Sequence, residues 1–382
     1  MSISNDDSRW MSRALQLAER GRYTTKPNPC VGCVIVSDNR LVGEGWHQKA
    51  GAAHAEVNAI IDAGSQTAGA TAYVTLEPCS HQGRTGPCAQ ALINVGIGRV
   101  VYAMQDPNPL VSGQGLSALE TAGIIVDGPL LEPQARAINP GYISRMERKR
   151  PWLRCKIAMS MDGRTAMANG ESQWITGAAA RGDGQKWRAR SSAIVTGIDS
   201  VLHDNSRLTL RKKELGLDES FVDSEAVLAL APLRVVLDTR LRITENAAIL
   251  DSASPTLLVT SSAELVLQPD KVKALQSLGS HISIDAIEVN EDGRLCLESL
   301  LTLLIQKECN EVLLEAGATL AGSFLKAGLI DELIIYQAPV LLGSTARPML
   351  TLPLETMADK KRLNIIDRRQ IGEDQRFIAR IE

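Results

Sequence analysis

The chain has 382 residues, about two domains' worth, and 44% of them are hydrophobic, so each domain can bury a sizeable core. A formal net charge of −3 gives no global attraction for nucleic acid or an anionic membrane, and the 3% aromatic content points to aliphatic packing. Met1 to Ser8 is polar and acidic, unlike a secretion signal, and no apolar run approaches spanning length; a cytoplasmic chain is expected, its seven cysteines acting as metal ligands or buried thiols rather than a disulfide framework.

Asp6-Asp7-Ser8 ahead of Trp10, Met11, Ala14, Leu15 and Ala18 predicts a capped amphipathic helix. Val31 to Val36, the pair Asp38-Asn39, and Leu41 to Trp46 predict a hairpin. Cys30 and Cys33 make a C-x-x-C, but residues three apart on a strand point to opposite faces, so a buried small hydrophobe is expected rather than a redox pair. His54 opens an apolar helical stretch, Ala55 to Ala63. Strand-like Ala72 to Leu76 follows, then Pro78-Cys79, a polar loop, and a helix from Cys88 to Asn94. Arg99 to Met104 reads as a strand, Leu116 to Ala122 as a helix, and Ile124 to Val126 as a short strand. This alternation argues an α/β layer with a central sheet.

Asn139-Pro140-Gly141 signals a turn, and Arg145 to Arg150 reads as a solvated linker ending at Pro151. Two α/β domains, 1–147 and 148–382, are therefore expected. Strands are predicted in the second at Trp152 to Met159, Ala193 to Thr196, Leu233 to Leu237, Thr256 to Val259, Val312 to Leu314 and Glu332 to Tyr336. Helices are predicted at Ala178 to Arg190, Leu300 to Lys307 and Leu320 to Lys326.

The chemistry concentrates in His54-Ala55-Glu56, Pro78-Cys79 and Cys88. One imidazole and two thiolates can hold Zn²⁺ with its fourth position open, as catalytic sites do, whereas structural sites close all four. H-x-E followed by P-C-x-x-C is the pattern of zinc nucleobase deaminases, although here eight residues separate the thiols rather than two. Such a metal makes hydroxide available near neutral pH. Glu56 is then placed to carry a proton to the departing nitrogen, so that ammonia leaves. A His at one helix start and a Cys at the next would set the metal between two positive helix ends, which favour thiolate. The competing reading closes the site with His81, His47, Cys30 or Cys33.

In the second domain, Val312 to Leu314 leads through Glu315, Ala316 and Gly317 into a helix start whose free N–H groups suit a phosphate. Gly317 and Gly322 do not form G-x-G-x-x-G. Ala193 to Gly197 entering Asp199-Ser200 is a second turn of this kind. Asp162-Gly163-Arg164 and Ser172 to Gly177 are expected as loops at one end of the sheet. Each of these turns reads first as plain structure; together they bring nucleotide binding level with that reading.

Along nearly its whole length the chain resembles the bifunctional deaminase/reductase family of bacterial riboflavin biosynthesis. The resemblance is carried by Pro27-Asn28-Pro29, His54-Ala55-Glu56-Val57, Glu77-Pro78-Cys79-Ser80-His81 with Gly83-Arg84-Thr85 and Cys88, Ser160-Met161-Asp162-Gly163-Arg164, Ser172-Gln173-Trp174-Ile175-Thr176, and Leu314-Glu315-Ala316-Gly317. It implies an α/β chain with a cytidine-deaminase-like domain followed by a dihydrofolate-reductase-like one, using Zn²⁺ and NADPH. The first would deaminate 2,5-diamino-6-ribosylamino-4(3H)-pyrimidinone 5′-phosphate, and the second would reduce the ribosyl group of the product to ribityl. His54, Cys79 and Cys88 are then the zinc ligands, Glu56 the proton shuttle, and Asn28, His47 and Arg84 contacts to the deaminase substrate. In the reductase half the resemblance assigns NADPH contacts to Ala158, Trp174, Ser200, Asp204, Gly317, Ala318, Thr319, Leu320, Ala321, Gly322 and Ser323. It assigns substrate contacts to Lys156, Ser172, Arg188, Leu208, Arg211 and Glu315. Gly86 stands where the family usually has a second Pro, and Cys33 replaces a usual Ala; neither is a reacting group.

The implied partner is a small pyrimidine ribotide, with no nucleic acid and no membrane; a homo-oligomer stays open. A deaminase acting on RNA or single-stranded DNA would need a basic, aromatic track, which this slightly acidic, aromatic-poor chain lacks. A zinc-stabilised binding protein would have no use for Glu56.

Overall fold

The first helix runs Asn5–Ala18 (α1), and its cap is Ser4 rather than the acidic run after it. The Ser4 hydroxyl accepts from the Asp7 N–H at 3.1 Å while the Asp7 carboxylate accepts from the Ser4 N–H at 2.8 Å, a reciprocal cap. The expected hairpin follows as Gly32–Ser37 (β1) and Arg40–Trp46 (β2), then Ala55–Ala63 (α2), Thr71–Val74 (β3) and Cys88–Asn94 (α3). Arg99–Tyr102 (β4), Gln114–Thr121 (α4) and Ile125–Asp127 (β5) complete a sheet ordered β2-β1-β3-β4-β5. β1 is antiparallel to β2 and β3, and β3, β4 and β5 are parallel.

Alternation along β1 feeds two cores. Val34 and Val36 pack with Met11 and Ala14 of α1, while Cys33 and Ile35 face Ala55 and Ala59 of α2. Helix α2 approaches β2 closely because that strand carries glycines. A Cβ on Gly45 would lie 2.5 Å from the Ala59 nitrogen, and one on Gly43 2.4 Å from the Ala59 oxygen.

Asn139-Pro140-Gly141 is not the turn its composition suggests. Glu132–Ile138 (α5) is followed by Pro140–Arg148 (α6), with proline in the first turn, where its missing N–H has no intrahelical partner to lose. Tyr142 and Ile143 are buried, so most of the basic run belongs to an amphipathic helix instead of a linker. The Asn139 side chain ties this helix start to β1: its oxygen accepts from the Cys30 N–H at 2.7 Å and its amide donates to the Cys30 oxygen at 2.8 Å.

This computed structural model describes residues 3–80, 86–219, 222–251 and 254–382. They divide into two units, one running to Arg150 and also taking in Val222, the other beginning at Pro151; residue 147, after which the divide is expected, lies in the last turn of α6.

The second unit starts with Trp152–Ser160 (β6), Arg164–Ala166 (β7), Ala178–Arg190 (α7), Ala193–Gly197 (β8) and Ile198–Asp204 (α8). Lys212–Leu215 (α9), Ser224–Ala229 (α10), Leu233–Leu237 (β9), Thr256–Ser261 (β10), Ser262–Leu267 (α11), Pro269–Ser277 (α12) and Ile282–Ile287 (β11) follow. Then come Leu297–Gln306 (α13), Glu311–Leu314 (β12), Ala318–Lys326 (α14), Glu332–Ala338 (β13), Arg347–Pro348 (β14), Leu363–Ile371 (β15) and Asp374–Ile381 (β16). The main sheet runs β11-β10-β9-β8-β12-β6-β13-β16-β15 and is parallel up to β13. β16 and β15 join antiparallel at its edge. The inner parallel strands are buried on both faces, which is why they read as largely apolar runs, while the edge strand β11 is only partly covered. Helix α7 is anchored by charge: Arg154 and Arg190 both pair with Glu311, Arg154 also reaches Glu332 at 2.7 Å, and both guanidiniums lie over the Trp187 ring.

Candidate active sites

His54 is the cap residue of α2, Glu56 sits in the first turn of that helix, and Cys88 is the first residue of α3. Cys79 lies beyond the end of β3. The fold brings these four together. His54 Nδ1 is 3.2 Å from the Cys88 sulfur and 3.6 Å from the Cys79 sulfur, and all three donor atoms lie within 4.8 Å of one another. Tetrahedral zinc, with bonds of about 2.0 Å to nitrogen and about 2.3 Å to sulfur, sets such atoms about 3.5 Å apart. The cluster therefore fits zinc. Among the described residues no fourth His, Cys, Asp or Glu joins it. Cys30 and Cys33 are buried in separate cores, His47 makes other bonds, and His81 lies outside the described residues.

The electrostatics favour the thiolate at Cys79, one of the two sulfurs. The hydrogen bond from Cys88, aided by His54, pulls the Cys79 thiol down to about 4 despite burial, and the same bond drives the Cys88 thiol up. The Cys88 backbone N–H also points at the Cys79 sulfur, 3.4 Å away. The hydrogen bond to Cys79 raises the His54 pKa against the effect of burial. Glu56 is 3% exposed, and its Oε2 has no hydrogen-bond partner among the described residues. Burial, with the Cys79 charge adding, pushes its carboxyl up to about 7. A buried carboxyl with one idle oxygen, poised near neutrality, is equipped to exchange a proton.

His47 packs edge-on to His54, with ring centroids 5.2 Å apart. Its Nδ1 is 3.1 Å from the Ala53 oxygen and its Nε2 3.1 Å from the Asn28 side-chain nitrogen. A carbonyl can only accept, so Nδ1 carries the proton and Nε2 accepts from Asn28. Burial lowers the His47 pKa, which keeps that tautomer neutral. Arg84 lies outside the described residues.

The second constellation gathers where β6, β12 and α7 meet. Glu315 follows β12 and receives two N–H groups of Arg188, at 2.6 and 3.0 Å. Burial raises the Glu315 carboxyl, but Arg188, with Lys156 and Arg211 adding, overrides this and holds it at about 2. Lys156 is in β6; burial lowers its pKa against the pull of Glu315, and it makes no ion pair among the described residues. The Arg211 N–H donates to Gln185 of α7 at 3.0 Å, and Arg188 reaches the Thr209 oxygen at 3.2 Å, so α7 positions this segment.

The NADPH-assigned residues divide. Gly317 caps α14, and Ala318, Thr319 and Leu320 form its first turn, with Leu320 beside Gly197 at the carboxyl end of β8. Ala321 and Gly322 turn into the core, where a Cβ on Gly322 would lie 2.1 Å from the Thr351 oxygen; the Ser323 hydroxyl donates to the Thr319 oxygen at 3.0 Å. Ser200 is in α8, and Asp204, its last residue, accepts from the Ser172 hydroxyl at 3.5 Å. Ala158 lies on β6 beside Tyr336. Trp174 is 63% exposed under the Arg181 guanidinium, 4.4 Å from its ring. The Leu208 side chain belongs to the core. Sequence reasoning passed over Gln185, Arg181 and a cavity lined by Thr239, Arg240, Ser261 and Ser262. The available signal was position, because the cavity follows the carboxyl ends of parallel β9 and β10, where open α/β sheets place ligands.

Residues 151–376 match the family described as the RibD C-terminal domain, and residues 4–104 match the cytidine and deoxycytidylate deaminase zinc-binding region. The riboflavin biosynthesis protein RibD of Escherichia coli is 46% identical over 369 residues, which cover 96% of this chain and 97% of that protein. The chain belongs to the RibD family. The solved RibD of Acinetobacter baumannii (form 1) is 44% identical, with a TM-score of 0.88 and 99% of each chain covered. A Thermotoga maritima structure described as a diaminohydroxyphosphoribosylaminopyrimidine deaminase/5-amino-6-(5-phosphoribosylamino)uracil reductase is 28% identical, with a TM-score of 0.83 over 99% of each chain. RibD proteins are bifunctional deaminase/reductases of riboflavin biosynthesis, with a cytidine-deaminase-like zinc domain and a dihydrofolate-reductase-like domain that uses NADPH. The fold and the enzyme class expected from the motifs hold for this chain. Among the described residues no helix is long and apolar enough to cross a membrane.

Proposed function

We propose that the unit ending at Arg150 deaminates 2,5-diamino-6-ribosylamino-4(3H)-pyrimidinone 5′-phosphate, and that the unit from Pro151 reduces the ribosyl group of the product, giving 5-amino-6-(5-phospho-ribitylamino)uracil. One observation carries the first step: three zinc-type donor atoms within 4.8 Å of one another beside a buried carboxyl with an idle oxygen. His54, Cys79 and Cys88 hold the zinc, which when bound supplies Lewis-acid activation of water at neutral pH. Glu56 takes a proton from the attacking water and returns it to the nitrogen that leaves as ammonia, so water and the 2-amino group become a carbonyl oxygen and ammonia. The neutral His47–Asn28 pair is a fixed wall beside that centre and orients the pyrimidine. Arg84 meets the phosphate.

In the reductase unit the first turn of α14, Ala158 of β6, Trp174 beyond β7, and Ser200 and Asp204 of α8 would hold NADPH, which supplies the hydride. Ser172 and Arg211 hold the ribotide, with the backbone at Leu208 beside it. Arg188 pins Glu315 as a carboxylate that accepts from ribose hydroxyls. Lys156, half-buried and outside any ion pair among the described residues, is the group left to hand over a proton.

The test uses the purified full chain with the free pyrimidine ribotide, and separately with an RNA hairpin. One ammonia released and one NADPH oxidised per ribotide, with none from RNA, is the expected result. Ammonia from RNA alone would make it a nucleic-acid deaminase, and cofactor binding without turnover would reduce the second unit to a nucleotide-binding module.

A further inference from the structure

Glu77 is a carboxylate, 3% exposed, lying between the end of β3 and the ligand Cys79. Its Oε2 accepts from the Asp106 N–H at 3.2 Å and the Gly113 N–H at 2.9 Å, and its Oε1 accepts from the Gly115 N–H at 3.0 Å. Its own N–H donates to the Met104 oxygen at 3.0 Å. Every one of these partners is backbone, and all lie along the segment that leads into α4. That helix has Gly113, at a φ of +80°, in its cap position and no side-chain cap of its own. Glu77, from 36 residues upstream of Gly113, therefore does the work of a cap, satisfying donors that the first turn leaves unpaired and meeting the positive end of the helix with a negative charge.

The docking is tight on the ligand side. A Cβ on Gly115 would lie 1.8 Å from the Pro78 oxygen, so the start of α4 rests on the peptide joining Pro78 to Cys79. On its other side α4 packs against α3, whose first residue is Cys88, and Leu119 and Leu92 share one core. Both sulfur donors are thus referenced to one buried carboxylate: Cys79 through two residues of chain, Cys88 through the α3–α4 contact.

We propose that Glu77 is a positioning residue of the deaminase centre, fixing Cys79 and Cys88 relative to each other by capping α4 beneath both. This rests on the zinc reading above. Glu77→Gln keeps the shape but turns an amide NH₂ towards backbone donors, so at least one of the three bonds is lost. Zinc transfer from the loaded full chain to a chromogenic chelator at fixed pH is expected to speed up at least tenfold, within the range of about 10–100-fold seen for groups that support metal ligands. In the cobalt-substituted protein the ligand-field and sulfur-to-cobalt charge-transfer bands are expected to shift, with the far-ultraviolet circular dichroism unchanged. Zinc release and cobalt bands equal to the parent's would overturn the assignment while leaving the zinc site intact. A parent chain that holds no zinc would overturn both. Should Glu77→Gln fail to fold, Gly113→Ala disturbs the same bond from the helix side, and parental zinc release there would overturn the assignment equally.

Discussion

Replacing Arg188 with Met removes both N–H groups that hold Glu315 and leaves that mostly covered carboxylate, 14% exposed, without them. In the parent the carboxyl is held at about 2 against an ordinary 4.5. At about 1.4 kcal/mol per pH unit this difference contributes about 3 kcal/mol at neutral pH. Breaking one partner out of a buried pair costs about 3–5 kcal/mol, which agrees. For a unit of this size that is a fall of about 6–12 °C in Tm. The pKa is depressed, so the stabilisation is present above pH 4.5 and is lost as pH falls towards 2. The parent–variant gap should therefore be full at pH 7 and less than half as large at pH 3. Urea unfolding of both chains at the two pH values measures it, with NADPH oxidation at pH 7 as the functional readout. A gap below about 1 kcal/mol at pH 7, or one undiminished at pH 3, would refute the argument that Arg188 is what keeps Glu315 ionised.

Glu56→Gln is expected to retain zinc by metal analysis and to lose about 10²–10⁴-fold in ammonia release; a parental rate would remove Glu56 from proton transfer. Stripping the metal with a chelator should abolish ammonia release while NADPH oxidation on the deaminated product continues, and loss of both activities would show that the second site depends on the first. Gly45→Ala places a Cβ 2.5 Å from the Ala59 nitrogen and 2.6 Å from the Ala55 oxygen, so α2 must shift, carrying His54 and Glu56 with it. Denaturant unfolding should show a cost of about 1–3 kcal/mol together with slower deamination, and a chain unchanged in both would mean that this strand–helix contact does not set the site.

The cluster of metal-type donors was legible because such a cluster needs particular residue types at short range. His54 and Glu56 are two apart, Pro78 precedes Cys79, and both His54 and Cys88 open helices that the apolar spacing already predicts. The inner parallel strands of the second unit were equally legible, since burial on both faces writes them as apolar runs, whereas the half-exposed edge strand β11 was passed over. Other features depended on partners far along the chain. Pro140-Gly141 reads as a turn until Tyr142 and Ile143 are seen to be buried, which makes the segment α6. The polar strands β15 and β16 carry no strong alternation, and they exist as strands because β13 offers an edge to pair with. Ala321 and Gly322 share a small-residue run with Gly317 and Thr319, yet helical geometry turns them into the core.

Composition and local spacing thus determined the two α/β halves, the metal-type donors and the carboxyl beside them, because those properties reside in neighbouring residues. Tertiary structure decided which charges meet. Arg188 finds Glu315 across 127 residues, and Glu77 finds the start of α4 across 36. Burying a charge is costly unless a partner is within hydrogen-bond reach, and only the folded chain brings such a partner there.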